Sequence, residues 1–245
     1  MRNYRLGVMM TLFLVMSSFI TDGPERPLKL TFTDHLKAGL IEVDAFVEKT
    51  TGSNQVYRVL PDEREKYLDA PLFATTVEVH HDPFEPKNAG PYPKGAALGL
   101  TLREWLGASG SATYQCEGGW GTFHAEFKNL VPNSVYTMWH FFMPAPPTVP
   151  FTGTLDVPMG ERDGSQSVFT TDSNGNTSFN IRFEHCLQLG ENQLMSGVAI
   201  AYHRDMKTYG PLPGEFGKVT HVQLFAMLPN IKSLPDNSNS GLKEY

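Results

Sequence analysis

The chain has 245 residues, of which 40% are hydrophobic and 19% are charged, and its formal net charge is −6. This composition is typical of a globular protein and suits one large domain or two small ones. Because an acidic chain without a basic patch offers nothing that would hold phosphate groups, we exclude nucleic-acid binding.

The first 22 residues have the composition of an export signal. Arg2 and Arg5 precede a hydrophobic run of about 14 residues, positions 7–20. A membrane-spanning helix needs about 20 such residues, so the run is short for an anchor. We predict a signal peptide over residues 1–22, a secreted or periplasmic location, and no stable membrane span after cleavage. An uncleaved anchor is the alternative, because a clean small-x-small cleavage pattern is missing.

Residues 23–98 carry the weakest secondary-structure signals. Within them, residues 40–48 alternate largely between apolar and acidic side chains, which favours a strand. The apolar spacing there also fits a helix that begins after Asp34 and ends near Gly52. We expect residues 23–98 to form an extension that packs on the main domain.

Residues 99–229 have the clearest β pattern. Thr101 and Glu104 have the spacing of a capping box, which predicts a short helix at the start of this region. Turn signals then separate seven or so short strands, including an Asn-Gly pair that is typical of a hairpin. The strands are predicted over residues 111–117, 122–129, 135–143, 168–171, 177–183, 197–203 and 219–228. We predict a mainly β protein with an Ig-like antiparallel β-sandwich, followed by a polar tail over residues 230–245.

The strand predicted over residues 135–143 is apolar on both faces. A strand without a polar face is covered on both sides, so we expect it at the centre of a sheet. Its exception is His140. By contrast, the strand over residues 122–129 has apolar side chains on one face and His124 and Glu126 on the other.

The chain has two cysteines, Cys116 and Cys186. In an exported protein, a lone pair of cysteines most often forms a disulfide. The bridge would close a loop of about 70 residues, which on the chain-entropy model stabilises the fold by roughly 4 kcal/mol. A cysteine metal ligand and two free thiols are the alternatives.

Three histidines lie in predicted strands of the main domain: His140, His203 and His221. If their strands are neighbours, the imidazoles could converge on a zinc or copper ion, which neutral ring nitrogens bind well. Asp205 follows His203 by two residues and could be a fourth ligand or could orient an imidazole. The alternative is that each histidine is a hydrogen-bonded core or surface residue.

A second candidate cluster consists of His80, His81 and Asp82, which follow a strand predicted over residues 75–79. Neighbouring residues of a strand point to opposite faces, so at most one of the two histidines would join a common site.

Residues 207–217 connect the last two predicted strands. The prolines, glycines and aromatic residue of this segment suit the rim of a pocket, which we predict to be lined by Trp139, Tyr202 and Tyr209. A rigid connection between the two strands is the alternative.

From these patterns we expect an exported, non-catalytic binding or structural module, with an optional histidine-bound metal ion. Its partner would be a protein, a carbohydrate or a small molecule. The alternative is an extracellular metal-dependent hydrolase or oxidoreductase that uses the strand histidines. The two hypotheses differ in geometry, because an enzyme of this kind needs the imidazoles around one point, whereas a structural module has them apart.

Overall fold

The computed structural model describes residues 27–40, 44–79, 89–144, 154–187 and 193–229. The chain is mainly β, as its sequence predicts. The strands in chain order are β1 Leu28–Phe32, β2 Phe46–Val47, β3 Gln55–Arg58, β4 Pro71–Thr75, β5 Tyr92–Thr101, β6 Ser109–Glu117, β7 Trp120–Lys128, β8 Val135–Pro144, β9 Leu155–Pro158, β10 Val168–Thr170, β11 Thr177–Glu184, β12 Gln193–His203 and β13 Thr220–Met227. A 3-10 helix covers Pro61–Tyr67, and a short α-helix, α1, covers Leu102–Leu106.

Two antiparallel sheets pack face to face. The first has the strand order β1-β6-β7-β11, and the second has the order β10-β8-β12-β13, with β9 also paired to β8. Phe169 of β10 stacks on Phe127 of β7 and on Tyr136 of β8, with ring centroids 5.6 and 5.5 Å apart. Both sheets thus contribute to one buried cluster, in which each large apolar side chain stabilises the fold by roughly 1.5–3 kcal/mol. This is a β-sandwich, although the Ig-like part of the prediction is not confirmed.

Strand β8 is the central strand that its apolar sequence predicts. It pairs with β12 on one side and with β10 and β9 on the other. Tyr136 and Met138 face the sandwich core and are fully buried, while Thr137 and Trp139 on the opposite face are each 3% exposed. Both faces of the strand are therefore covered within the described part of the chain.

Strand β7 has the one-sided pattern that its alternation predicts. Phe123, Ala125 and Phe127 are buried, whereas His124 and Glu126 are exposed. The first sheet therefore has one face in the core and one face in solvent.

The N-terminal part of the described chain has two roles. Strand β1 is an edge strand of the first sheet, and Thr33 just after it exchanges backbone hydrogen bonds with Phe225 of the second sheet. Strands β2, β3, β5 and β4 close into a small barrel. The predicted domain boundary at residue 99 falls inside β5, which continues to the capping box of α1.

The predicted disulfide between Cys116 and Cys186 is present, with the two Cα atoms 5.6 Å apart. It joins the end of β6 to the segment after β11, across the first residues of β7. Gly121 of β7 lies beneath this crossing. A Cβ atom there would come within 2.6 Å of the Phe183 ring, so only glycine fits.

Several sequence predictions lie outside the described residues: the signal peptide, the polar tail and the cluster of His80, His81 and Asp82. Among the helices that are described, none is both long enough and apolar enough to cross a membrane.

Candidate functional site

Strand pairing places His203 and His221 on opposite faces of the second sheet. Residues directly opposite each other in an antiparallel pair share a face, and consecutive residues alternate. His203 of β12 is opposite Thr220, whereas its neighbour Tyr202 is opposite His221. The sheet therefore separates the two imidazoles.

His140 shares the core face with His221 but lies far along the sheet. It is opposite Val198 of β12, while Tyr202, four residues further along that strand, is opposite His221. Four residues of strand span about 13 Å, and a zinc–imidazole bond is only about 2 Å long.

The three strand histidines therefore do not fit a common zinc or copper site. In the described ranges, no group of three or more histidine, cysteine, aspartate or glutamate side chains is placed to hold a metal ion. Metal binding elsewhere in the chain stays a prediction.

His203 belongs to a buried chain of polar groups on the outer face of the second sheet. Its Nε2 lies 2.7 Å from the Thr137 hydroxyl, which also accepts a hydrogen bond from Trp139 Nε1 at 2.7 Å. On the other side, Nδ1 lies 3.5 Å from the Thr220 hydroxyl, which donates to the Pro213 carbonyl.

Only one set of proton positions satisfies all these contacts. Because the Thr220 proton goes to Pro213, the Thr220 oxygen accepts, and His203 therefore carries its proton on Nδ1. Nε2 then accepts from Thr137. Burial lowers the pKa of His203 to about 4, with Asp205 opposing the effect, so the ring is neutral at pH 7. This arrangement is that of a structural histidine.

His221 joins the sandwich to the segment that precedes the barrel. Its Nδ1 donates to the backbone carbonyl of Asp44. The Asp44 carboxylate accepts from the Val222 amide at 3.3 Å and lies 3.6 Å from Arg58 Nη2, and both side chains of this ion pair are fully buried. Burial lowers the pKa of His221, although Asp44 partly offsets it. The cluster therefore connects β13 to the barrel.

His140 is buried on the core face of β8. Its ring packs on Phe142 with centroids 4.0 Å apart, and its Nε2 has no hydrogen-bond partner among the described residues. Burial lowers the pKa of His140 to about 4. It is thus an uncharged core residue.

Asp205 organises its own loop. Its carboxylate accepts from the Lys207 amide at 3.2 Å and from the Tyr209 hydroxyl at 2.6 Å. Partial burial and the hydrogen bond to Asp205 raise the pKa of Tyr209 to about 12. These contacts account for Asp205 without a metal ion.

The three residues predicted to line a pocket are not brought together. Tyr202 lies on the core face, where it packs on Trp105 with ring centroids 6.3 Å apart. Tyr209 packs on His203 on the outer face at 5.9 Å, and Trp139 also lies on that face. Trp139 and Tyr202 are 3% and 6% exposed, so neither faces an open cavity.

The exposed face of the first sheet carries a regular grid of polar side chains, here called the polar face. Each row of the grid consists of residues that pair directly across the strands. The rows are Thr31, Ser111, Glu126 and Ser178; Lys29, Thr113, His124 and Asn180; Gln115, Thr122 and Arg182; and Glu117, Trp120 and Glu184.

Side chains of the polar face hold one another in place. His124 Nδ1 is hydrogen-bonded to Asn180 Oδ1, and its Nε2 lies 3.8 Å from Glu126 Oε1. The guanidinium group of Arg182 lies 4.7 Å from the centre of the Trp120 ring. Trp120 is nevertheless 38% exposed. The polar face thus presents an imidazole, an amide, a carboxylate and an indole to solvent, all on paired strands.

The sequence predicts His124 and Glu126 on a polar face of their strand but does not predict a site there. The usable signal was strict alternation in both β7 and β11, in which every second residue is exposed and, apart from Trp120, polar. The pairing of these two strands is a long-range contact, which neither pattern encodes.

Comparison of the chain with protein-family models, with curated proteins and with solved structures finds no match in any of the three.

Proposed function

We propose that this protein is an exported, non-catalytic binding module whose ligand contacts the polar face of the first sheet. The observation that carries the proposal is the distribution of the histidines. His140, His203 and His221 are buried and neutral, and the sheet separates His203 from the other two. His124 has 46% of its side chain exposed and lies beside Asn180 and Glu126.

Rigidity supports a binding role for this face. Its side chains project from paired strands and not from loops, so their relative positions are fixed by the backbone ladder. A ligand that binds a preorganised surface avoids part of the entropy cost of ordering it. The disulfide between Cys116 and Cys186 anchors the end of the face that carries Trp120.

Export is supported by two independent features. The first 22 residues have the pattern of a signal peptide. The two cysteines of the chain are joined in a disulfide, which persists in oxidising compartments and is rare in the cytosol.

The test is a carboxyl-labelling footprint of the mature protein, alone and with a cell-envelope extract of the source organism. We expect the extract to protect Glu126 and Glu184 on the polar face. Glu161 and Glu215, which lie in loops away from that face, serve as internal controls. Protection of the loop residues alone, or equal labelling at all four positions, would contradict the proposed function.

A matched pair of variants sharpens this footprint. The double variant His124→Ala/Asn180→Ala truncates two of the four side chains in the second row of the grid, and we expect it to abolish protection of Glu126. The control Glu215→Gln alters an exposed loop that is remote in the fold, and it should leave the protection unchanged.

A further inference from the structure

We infer that the ligand of the polar face is a neutral glycan, recognised by the hydroxyl, amide and imidazole groups of the grid and by the Trp120 ring. This inference rests on the proposed function and specifies the chemistry of its ligand.

Charge balance on the polar face favours an uncharged ligand. The exposed basic and acidic side chains are equal in number. The basic ones are Lys29 and Arg182 of the grid and Lys128, which lies on the same face of β7 two residues beyond Glu126, and the acidic ones are Glu117, Glu126 and Glu184. Because the two signs alternate over the sheet, a polyanion or polycation would meet as much repulsion as attraction. A neutral ligand meets no such penalty.

The hydrogen-bonding groups of the face match those of a sugar. A sugar hydroxyl both donates and accepts, so its binding surface must offer both functions. Hydroxyl and amide side chains can both donate and accept hydrogen bonds. They occur in three of the four rows, and the row that contains Trp120 has none. These residues are Thr31, Ser111, Thr113, Gln115, Thr122, Ser178 and Asn180.

Short hydroxyl side chains form a low area on the half of the face away from Trp120. Thr31 of β1 and Ser111 and Thr113 of β6 are neighbours there, and the longer His124 and Glu126 of β7 flank them on one side. A sugar that lies over these hydroxyl groups is therefore within reach of the imidazole and the carboxylate.

Trp120 provides an apolar platform at one end of the polar face. Indole rings present a flat apolar surface together with a polar N–H group, which suits the C–H face of a pyranose ring. The hairpin of Gly118 and Gly119, both with positive φ, fixes the start of β7 beside it. The Arg182 guanidinium lies over one face of the ring, 4.7 Å from its centre, and restrains its orientation, so the sugar is expected on the opposite face.

The dimensions favour an oligosaccharide over a single sugar. From the row of Glu126 to the row of Trp120 the strand advances six residues, which is about 20 Å. A protein partner is less well matched, because the cores of protein interfaces are enriched in aromatic residues, and among the described residues of this face Trp120 is the only aromatic side chain.

Affinity electrophoresis in gels that contain neutral polysaccharides tests the inference. The probes are xylan, mannan, hydroxyethyl cellulose and a mixed-linkage β-glucan. We expect at least one to retard the wild-type protein. Trp120→Ala and His124→Ala/Asn180→Ala should each weaken that binding by at least about fivefold, as expected for the loss of one or two net hydrogen bonds or one ring contact. Glu215→Gln should bind like the wild type.

Two results would overturn the inference: no retardation by any of the four polysaccharides, or equal retardation of the wild type and of both polar-face variants. Near-UV circular dichroism of each variant verifies that the fold is intact. If Trp120→Ala fails to fold, Trp120→Gln and the separate variant Arg182→Gln replace it.

A second arm separates this inference from the proposed function. The envelope extract used for footprinting is treated either with periodate, which destroys vicinal diols, or with protease. Protection of Glu126 that is lost with periodate and survives protease supports the glycan. Protection that survives periodate and is lost with protease overturns the glycan but keeps the binding module. Absence of protection with the untreated extract overturns both.

Discussion

Thr137 Oγ1 lies 2.7 Å from His203 Nε2, inside the covered outer face of the second sheet. This hydroxyl satisfies two buried groups at once, since it also accepts from Trp139 Nε1. His203 is therefore part of a structural network that leaves no room on Nε2 for a metal ion. The Thr137 hydroxyl thus fixes His203 Nε2 as a hydrogen-bond acceptor.

Removal of that hydroxyl should destabilise the protein. Thr137→Val keeps the shape of the side chain but leaves His203 Nε2 and Trp139 Nε1 without their partner. We expect the free energy of unfolding to fall by about 1–3 kcal/mol, measured by urea denaturation. Thr122→Val, on the exposed polar face, is the matched control and should change it by less than about 0.5 kcal/mol. Equal effects of the two substitutions would contradict the network.

The buried histidines should make the protein sensitive to acid. Burial lowers the pKa values of His140 and His203 from 6.5 to about 4. Between these values the unfolded chain binds more protons than the folded protein does. Stability is therefore retained above pH 6.5 and is lost as the pH falls toward 4, by about 1.4 kcal/mol per pH unit for each histidine.

His203→Gln isolates this contribution, because all carboxylates are the same in both proteins. Urea denaturation at pH 7.5, 6.0 and 5.0 should show a smaller loss of stability in the variant, by about 1.4 kcal/mol per pH unit below pH 6.5. Parallel pH profiles of the two proteins would show that His203 is not buried in its neutral form.

The ion pair of Asp44 and Arg58 should be costly to break. Both side chains are fully buried, so removal of one charge leaves the other in a low-dielectric environment. We expect Arg58→Met to lower the free energy of unfolding by about 3–5 kcal/mol. Arg103→Met breaks the exposed pair with Asp69 and should cost at most about 1 kcal/mol. Thermal unfolding of the two variants distinguishes these outcomes.

Much of the β architecture could be predicted from local patterns. Alternation in β7, the two apolar faces of β8, the capping box of Thr101 and Glu104, and the pairing of Cys116 with Cys186 all depend on short-range spacing or on the cysteine count. Each of these predictions is confirmed by the structure.

The positions of the histidines could not be predicted in this way, because they depend on register. If the side chains of β13 alternated strictly, Phe225 would lie on the same face of the sheet as His221. The register between β12 and β13 shifts after Ile200, which is opposite Leu224 while Ala201 is opposite Val222. Gln223 is thus an extra residue, and it moves Phe225 to the outer face. A bulge of this kind leaves no signal in the hydrophobic pattern.

The separation of His203 from His140 and His221 leads to a prediction about the metal content of the protein. If the protein is isolated without a tag or chelator, its zinc or copper content by plasma mass spectrometry should be the same in the wild type and in His203→Gln. His140 and His221 lie on the opposite face of the sheet from His203. The three imidazoles therefore share no metal site that the loss of His203 could remove. Near-stoichiometric metal in the wild type that disappears in the folded variant would contradict this geometry.

The most direct test compares the two sets of histidines in a single binding experiment. Binding of the cell-envelope extract is measured in parallel for wild-type protein, His124→Ala/Asn180→Ala and His203→Gln, each verified as folded. We expect binding to be lost in the polar-face variant and retained in His203→Gln. If binding is retained in the polar-face variant and lost in folded His203→Gln, the function lies in the buried network and the ligand does not contact the polar face.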